Sequence, residues 1–138
     1  MTDRSYSSII EQLRNANLRP TRQRMGLGRL LFSGDQQRHI TADQLHLEAE
    51  NAGLSVSLAT VYNTLHQFCE AGLLREVVVD PGRSYFDTNT GSHHHFFNVE
   101  RGELTDIPAE LINVASLPSP PLGTQIDRVD IVVRVRND

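Results

Sequence analysis

Apolar residues recur at helical spacing through the first half of the chain and at strand spacing through much of the second. Ile9, Ile10 and Leu13 share one side of a short amphipathic helix predicted over 6–16. Asn17 and Pro20 punctuate the chain there. Pro20 suits the first turn of a second helix, where its missing N–H costs nothing. That helix is predicted to run to about Phe32, with Met25, Leu27, Leu30 and Leu31 inward, and Ser33, Gly34 and Asp35 end it. Thr41, with Gln44 three residues later, reads as a capping box opening a third helix to about Asn51, which Gly53 stops. Ser57 caps a fourth helix to about Ala71, ended by Gly72. Its apolar stripe is Leu58, Val61, Leu65, Phe68 and Cys69.

Beyond the helices, Leu74-Arg-Glu-Val-Val-Val and Ser84-Tyr-Phe-Asp flank Asp80-Pro-Gly-Arg, which reads as a hairpin. Helices followed by a hairpin give the layout of a winged helix, with the hairpin as wing. Asn89-Thr-Gly-Ser is a polar hinge. After it, 93–99 and 103–107 are predicted to pair as strands about Arg101-Gly102. Pro108 is expected to open a short helix to about Ser116, a proline-rich connector follows, and 125–136 alternates well enough for a last strand. The fold class is thus α+β. A winged-helix DNA-binding domain is expected over 1–88 and a small α/β dimerisation domain over 89–138. So small a second domain has little core of its own, so a second subunit is expected to complete it as a homodimer.

The chain has 138 residues and a net charge of −4, which alone argues against a nucleic-acid partner. The distribution changes that picture. Every basic residue is arginine. Residues 14–38 carry six arginines against Asp35 alone, a local net of +5, whereas 85–138 carry eight acids against four arginines, a net of −4. One end is built for an anionic partner, or its arginines merely solvate a helix face; charge alone leaves both open. Cys69 is the only cysteine, so a cytoplasmic setting is expected, with no intramolecular disulfide and no structural four-cysteine zinc site. No apolar run is long enough for a bilayer, no membrane partner is expected, and no leader is read at the start.

Two places carry candidate chemistry. The outer face of the fourth helix presents Ala59, Thr60, Tyr62 and Asn63 near its N-terminal end, with His66 beyond. These short or neutral hydrogen-bonding groups suit base edges and thymine methyls in a major groove. The pattern fits a solvated amphipathic helix equally well. Upstream, Arg19 suits a narrow A·T-rich minor groove, and Arg22, Arg24 and the wing's Arg83 suit phosphates. The second place is the run His93-His94-His95. On a strand, His93 and His95 share one face and His94 takes the other. Imidazole suits iron, zinc, manganese or heme iron, and all three histidines are candidates for heme. Cys69, on the apolar stripe, reads as a buried small hydrophobe.

LRPTRQR, HITADQL, SLATVYNTL and the hairpin after them resemble the ferric uptake regulator family over nearly the whole chain. LRPTRQRM through SLATVYNTL and YFDTN to the triple histidine is similar to its iron response regulator branch, whose members are heme-responsive. The resemblance implies a dimeric transcriptional regulator of iron and heme genes on A·T-rich operators, responsive to heme or to a divalent ion. It implies that His39, Asp87, His93, His95 and Asp106 form a site for Fe, Mn or Zn between the domains. The chain departs from the family where Asn98 and Arg101 replace a first CxxC pair. Ser92 and His94 leave the family's second metal site incomplete. An alternative within the family is a peroxide- or metal-sensing repressor without heme. An enzyme is not expected, because no H-E-x-x-H motif, phosphate-binding glycine loop or activated nucleophile is present.

Overall fold

The computed structural model describes residues 2–34 and 36–138, with side chains described from residue 7. Asp35, read above as part of a helix stop, lies outside the described residues. The chain divides into two compact units, Met1–Thr90 and Gly91–Asp138. The fold is α+β, and no helix among the described residues is long and apolar enough to cross a membrane.

The first unit contains helices α1 (Thr2–Asn15), α2 (Arg22–Phe32), α3 (Ala42–Asn51) and α4 (Leu58–Glu70). Its strands are β1 (His39–Ile40), β2 (Arg75–Asp80) and β3 (Arg83–Asp87). Local chemistry ends the helices. Three of them close alike: Asn17, Gly53 and Gly72 take positive φ of 61°, 79° and 79°. In each case the next residue, Leu18, Leu54 or Leu73, returns its N–H to Leu13, Ala49 or Phe68 at 2.9 Å. These are Schellman closures, and each also brings a leucine back onto the apolar side of its helix. The starts are capped by Thr21, Thr41 and Ser57, whose hydroxyls accept N–H bonds from the third helical residue. At Thr41 the Gln44 side chain accepts the Thr41 N–H in return, completing the capping box.

Ile9, Leu13, Leu27, Leu31, Leu45, Val61, Leu65, Phe68 and Phe86 meet in one buried core. Phe68 is fully buried, with the Phe32 ring 5.9 Å from its own, centroid to centroid. Two glycines in α2 make close approaches possible. A Cβ on Gly26 would lie 2.6 Å from Leu54 Cδ2, and one on Gly28 would lie 3.3 Å from Ile9 Cγ2. The order of strands in the sheet is β1-β3-β2, all antiparallel, so β2 and β3 form the wing and β1 adds a third strand.

Three elements differ from the sequence expectation in this unit. Helix α1 reaches back to Thr2. Helix α2 starts at Arg22, because the Thr21 hydroxyl caps it and leaves Pro20 outside. Strand β1 was not anticipated; two residues carry too little pattern to be read. Cys69 is half-buried at the margin of the core rather than inside it.

The second unit contains β4 (His93–Asn98), β5 (Glu103–Pro108), a 3-10 turn (Ala109–Leu111) and β6 (Val132–Val135). The sheet order is β5-β4-β6, with β4 antiparallel to β5 and parallel to β6. The helix expected over 108–116 shrinks to the 3-10 turn. Pro108 remains in the β5 ladder opposite His93, and Ile112 is already extended at φ −118° and ψ 120°. The last strand is shorter than expected, because β6 pairs only with the four residues His95–Asn98 of β4. The capping box at Thr41 is the local device that orients α3. Thr41→Ala is expected to lower unfolding free energy by about 1 kcal/mol, read as a lower urea midpoint at unchanged slope. An unchanged midpoint would remove the cap from the account.

Candidate metal centre and nucleic-acid face

The strand alternation that fills the core of the second unit also sorts its histidines. Along β4, His93, His95 and Phe97 are buried, while His94 is half-buried and Phe96 exposed. His93 Nδ1 lies 2.7 Å from the Gly91 carbonyl oxygen. A carbonyl only accepts, so Nδ1 donates its proton, and in the neutral ring Nε2 then carries the lone pair. That Nε2 is 3.0 Å from His95 Nε2. Opposite His95 across the ladder stands Asp106, whose Oδ1 is 3.4 Å from His93 Nε2 and 3.3 Å from His95 Nε2. His94 faces differently: its Nδ1 accepts the Ile131 N–H at 3.2 Å.

Two imidazole nitrogens and a carboxylate oxygen therefore form a triangle with edges of 3.0, 3.3 and 3.4 Å. With metal–ligand bonds of about 2.1 Å, neighbouring ligands of an octahedral ion lie about 3.0 Å apart and those of a tetrahedral ion about 3.4 Å. The triangle has the edge lengths of such a coordination shell. The donor set, nitrogen with one carboxylate, suits zinc, iron or manganese.

The first unit offers a second pair. His39 on β1 stands opposite Asp87 on β3, and His39 Nε2 is 3.2 Å from Asp87 Oδ2. Asp87 is fully buried, and its Oδ1 accepts the Asn89 N–H at 2.8 Å. The segments holding the pair are tied together beside it. Arg38 N–H donates to Thr88 Oγ1 at 2.8 Å, and Thr88 N–H donates to the Arg38 carbonyl at 3.0 Å. The Arg38 guanidinium forks onto both Glu48 oxygens, at 3.0 and 2.6 Å, and also reaches the Leu30 carbonyl at 2.9 Å. Sequence reasoning missed Arg38, Glu48 and Thr88 as supports. Partners separated by 10 and 50 positions leave no local signal.

On α4, Ala59, Tyr62 and Asn63 are exposed, and Thr60 is half-buried. The Thr60 hydroxyl accepts from Ser57 Oγ at 3.0 Å, so it is partly engaged in the helix cap. Arg19 and Arg22 are exposed, in the segment before α2 and at its first residue. Arg83 is exposed on the wing, with Asp80 Oδ2 at 4.0 Å. Arg24 is placed differently: its guanidinium reaches Gln67 and the Arg19 carbonyl.

The first unit is a winged helix, and the chain as a whole combines it with a small sheet that carries a histidine and carboxylate cluster. A family model of the ferric uptake regulator family matches residues 15–130, and the chain belongs to that family, whose members are transcriptional regulators and not enzymes. The peroxide-responsive repressor PerR of Staphylococcus epidermidis is 33% identical over 104 residues, 75% of this chain and 68% of that protein. The structure of the ferric uptake regulator from Pseudomonas aeruginosa with manganese is similar at a TM-score of 0.68 and 29% identity, over 94% of this chain and 97% of that one. The ferric uptake regulator of Vibrio cholerae shares the fold at a TM-score of 0.70 and 22% identity, over 93% of this chain and 98% of that one.

Cobalt(II) provides a spectroscopic check on the cluster in β4 and β5. Adding it to the full chain is expected to give visible ligand-field bands that His95→Ala or Asp106→Ala weakens strongly, with cobalt affinity falling by roughly a hundredfold or more. Bands unchanged in both variants would place the metal elsewhere.

Proposed function

We propose that this chain is a DNA-binding transcriptional repressor, acting as a cytoplasmic homodimer on A·T-rich duplex, whose activity follows a divalent cation. The observation that carries the reading is the triangle of His93, His95 and Asp106, whose edges match a coordination shell. His39 and Asp87, themselves a pair at 3.2 Å, are proposed as further metal ligands, as the family resemblance implies. An ion that binds one conformation of the chain better than others shifts the chain toward it, which is how a small ion alters DNA affinity. Manganese, iron and zinc all fit the donor chemistry. Similarity to a manganese-bound ferric uptake regulator supports the metal, and similarity to PerR supports repression. On the DNA side, Ala59, Thr60, Tyr62 and Asn63 are proposed to meet a major groove, Arg19 a minor groove, and Arg22 and Arg83 phosphates.

The heme-responsive branch is the finer reading that the histidine run and LRPTRQRM bring. Two axial imidazoles of one heme iron, each bound at about 2.0 Å, stand about 4 Å apart on opposite porphyrin faces. His93 and His95 Nε2 are 3.0 Å apart and converge with a carboxylate, which favours one small ion over a heme. His94 Nδ1 accepts the Ile131 N–H, so in the neutral ring its Nε2 carries the proton and holds no lone pair for an axial bond. Heme titration beside manganese titration separates the two. The small-ion reading expects manganese uptake lost on His93→Ala with His95→Ala, and no heme Soret shift that depends on those two residues.

A duplex-binding assay tests the whole reading. With manganese present, Arg19→Ala or Tyr62→Ala is expected to weaken binding to a selected duplex at fixed salt by about tenfold. A duplex affinity indifferent to manganese and to both substitutions would overturn it.

A further inference from the structure

Arg24 lies among the arginines that suit phosphates, yet its guanidinium is committed within the protein. Nη1 donates to the Arg19 carbonyl at 2.9 Å. Nε and Nη2 both donate to Gln67 Oε1, at 3.3 and 3.1 Å. One planar group thus joins three places: the first turn of α2, the segment between α1 and α2, and the body of α4. The segment is otherwise fixed at its ends, by the Leu18 N–H on the Leu13 carbonyl at 2.9 Å and by the Thr21 cap. Its middle, where the exposed Arg19 side chain leaves the backbone, is held by Arg24. Gln67 follows Asn63 by one helical turn, so the same clamp reaches the helix that presents Ala59, Tyr62 and Asn63.

We propose that Arg24 and Gln67 are positioning residues for DNA recognition: they set where Arg19 stands relative to α4. This rests on the DNA-binding reading above. Grooves of duplex DNA have fixed separations, so an arginine that reads a narrow minor groove while a helix occupies the major groove has to be held at the right offset. A guanidinium fork suits this task better than an ammonium, because its rigid planar donors point in fixed directions to a carbonyl on one side and an amide oxygen on the other. Arg24 therefore contributes to sequence preference through Arg19 rather than to phosphate contact, and Gln67 contributes although it bears no charge.

The experiment uses the full chain loaded with manganese and a duplex selected from a random pool by the unmodified protein. Preference for that duplex over a G·C-rich one, and the slope of affinity against salt, are measured for each variant. Arg24→Lys and Gln67→Leu are each expected to lose about tenfold of preference with the salt slope unchanged. Gln67→Glu, which keeps an acceptor for the fork, is expected to retain it. The loss on Arg24→Lys is expected to disappear when Arg19→Ala is already present, the mark of one residue acting through another. General destabilisation would not show this coupling, and manganese uptake with thermal unfolding reports the fold of each variant. Should Gln67→Leu fail to fold, Arg24→Lys with and without Arg19→Ala decides. Full preference in Arg24→Lys, or a salt slope reduced by about one in Arg24→Ala, would make Arg24 a phosphate contact and overturn the proposal. If the unmodified protein selects no duplex, the DNA-binding reading itself fails, and this inference with it.

Discussion

The pairing register of β4 with β5 is the constraint on which the candidate site depends. Asp106 faces the two imidazoles because His95 is opposite it, and His93 joins them because residues two apart on a strand share a face. A slip of one residue would send His94 to that face and the other two histidines away. The buried Phe97 opposes such a slip, since it would leave the covered side together with the two histidines. Packing of apolar side chains and placement of candidate ligands are thus one event in this sheet.

The winged-helix unit uses a different economy. The proposed recognition face needs exposed, mostly uncharged groups on α4, which contribute little to stability. Stability comes from the opposite side of that helix, where Val61, Leu65 and Phe68 are fully buried, and from closures that fix each helix end. The close approach of α2 to Leu54 and Ile9, possible because Gly26 and Gly28 lack side chains, holds the arginine-bearing segment against the same core. The buried Phe86 is next to Asp87 on β3, so the strand that supplies a core ring also supplies a candidate ligand.

Much of this was legible in the residues. Thr41 with Gln44, and Gly53 and Gly72 after their helices, are short-range signals whose chemistry acts within a few positions. The apolar stripe of α4 and the alternation of β4 are periodic and equally visible. What escaped depended on distant partners or on competition between local preferences. Strand β1 exists because His39 and Ile40 find Asp87 and Phe86, far along the chain. Pro20 lost the first helical position to a threonine cap one residue on, and Pro108 stayed in a ladder instead of opening a helix. The commitments of Arg24 to Gln67 and of Arg38 to Glu48 could not be read either, since an arginine in sequence looks the same whether its guanidinium meets solvent, phosphate or another side chain. Family resemblance supplied the candidate ligand set, and the strand register explains physically why three of its members converge.

X-ray absorption at the manganese edge of the loaded full chain tests the central claim most directly. The account predicts nitrogen and oxygen neighbours at about 2.1 Å with the outer-shell scattering of at least two imidazoles, reduced when His95 is replaced by alanine. A shell of oxygen alone, without imidazole scattering and unaltered by that substitution, would contradict it.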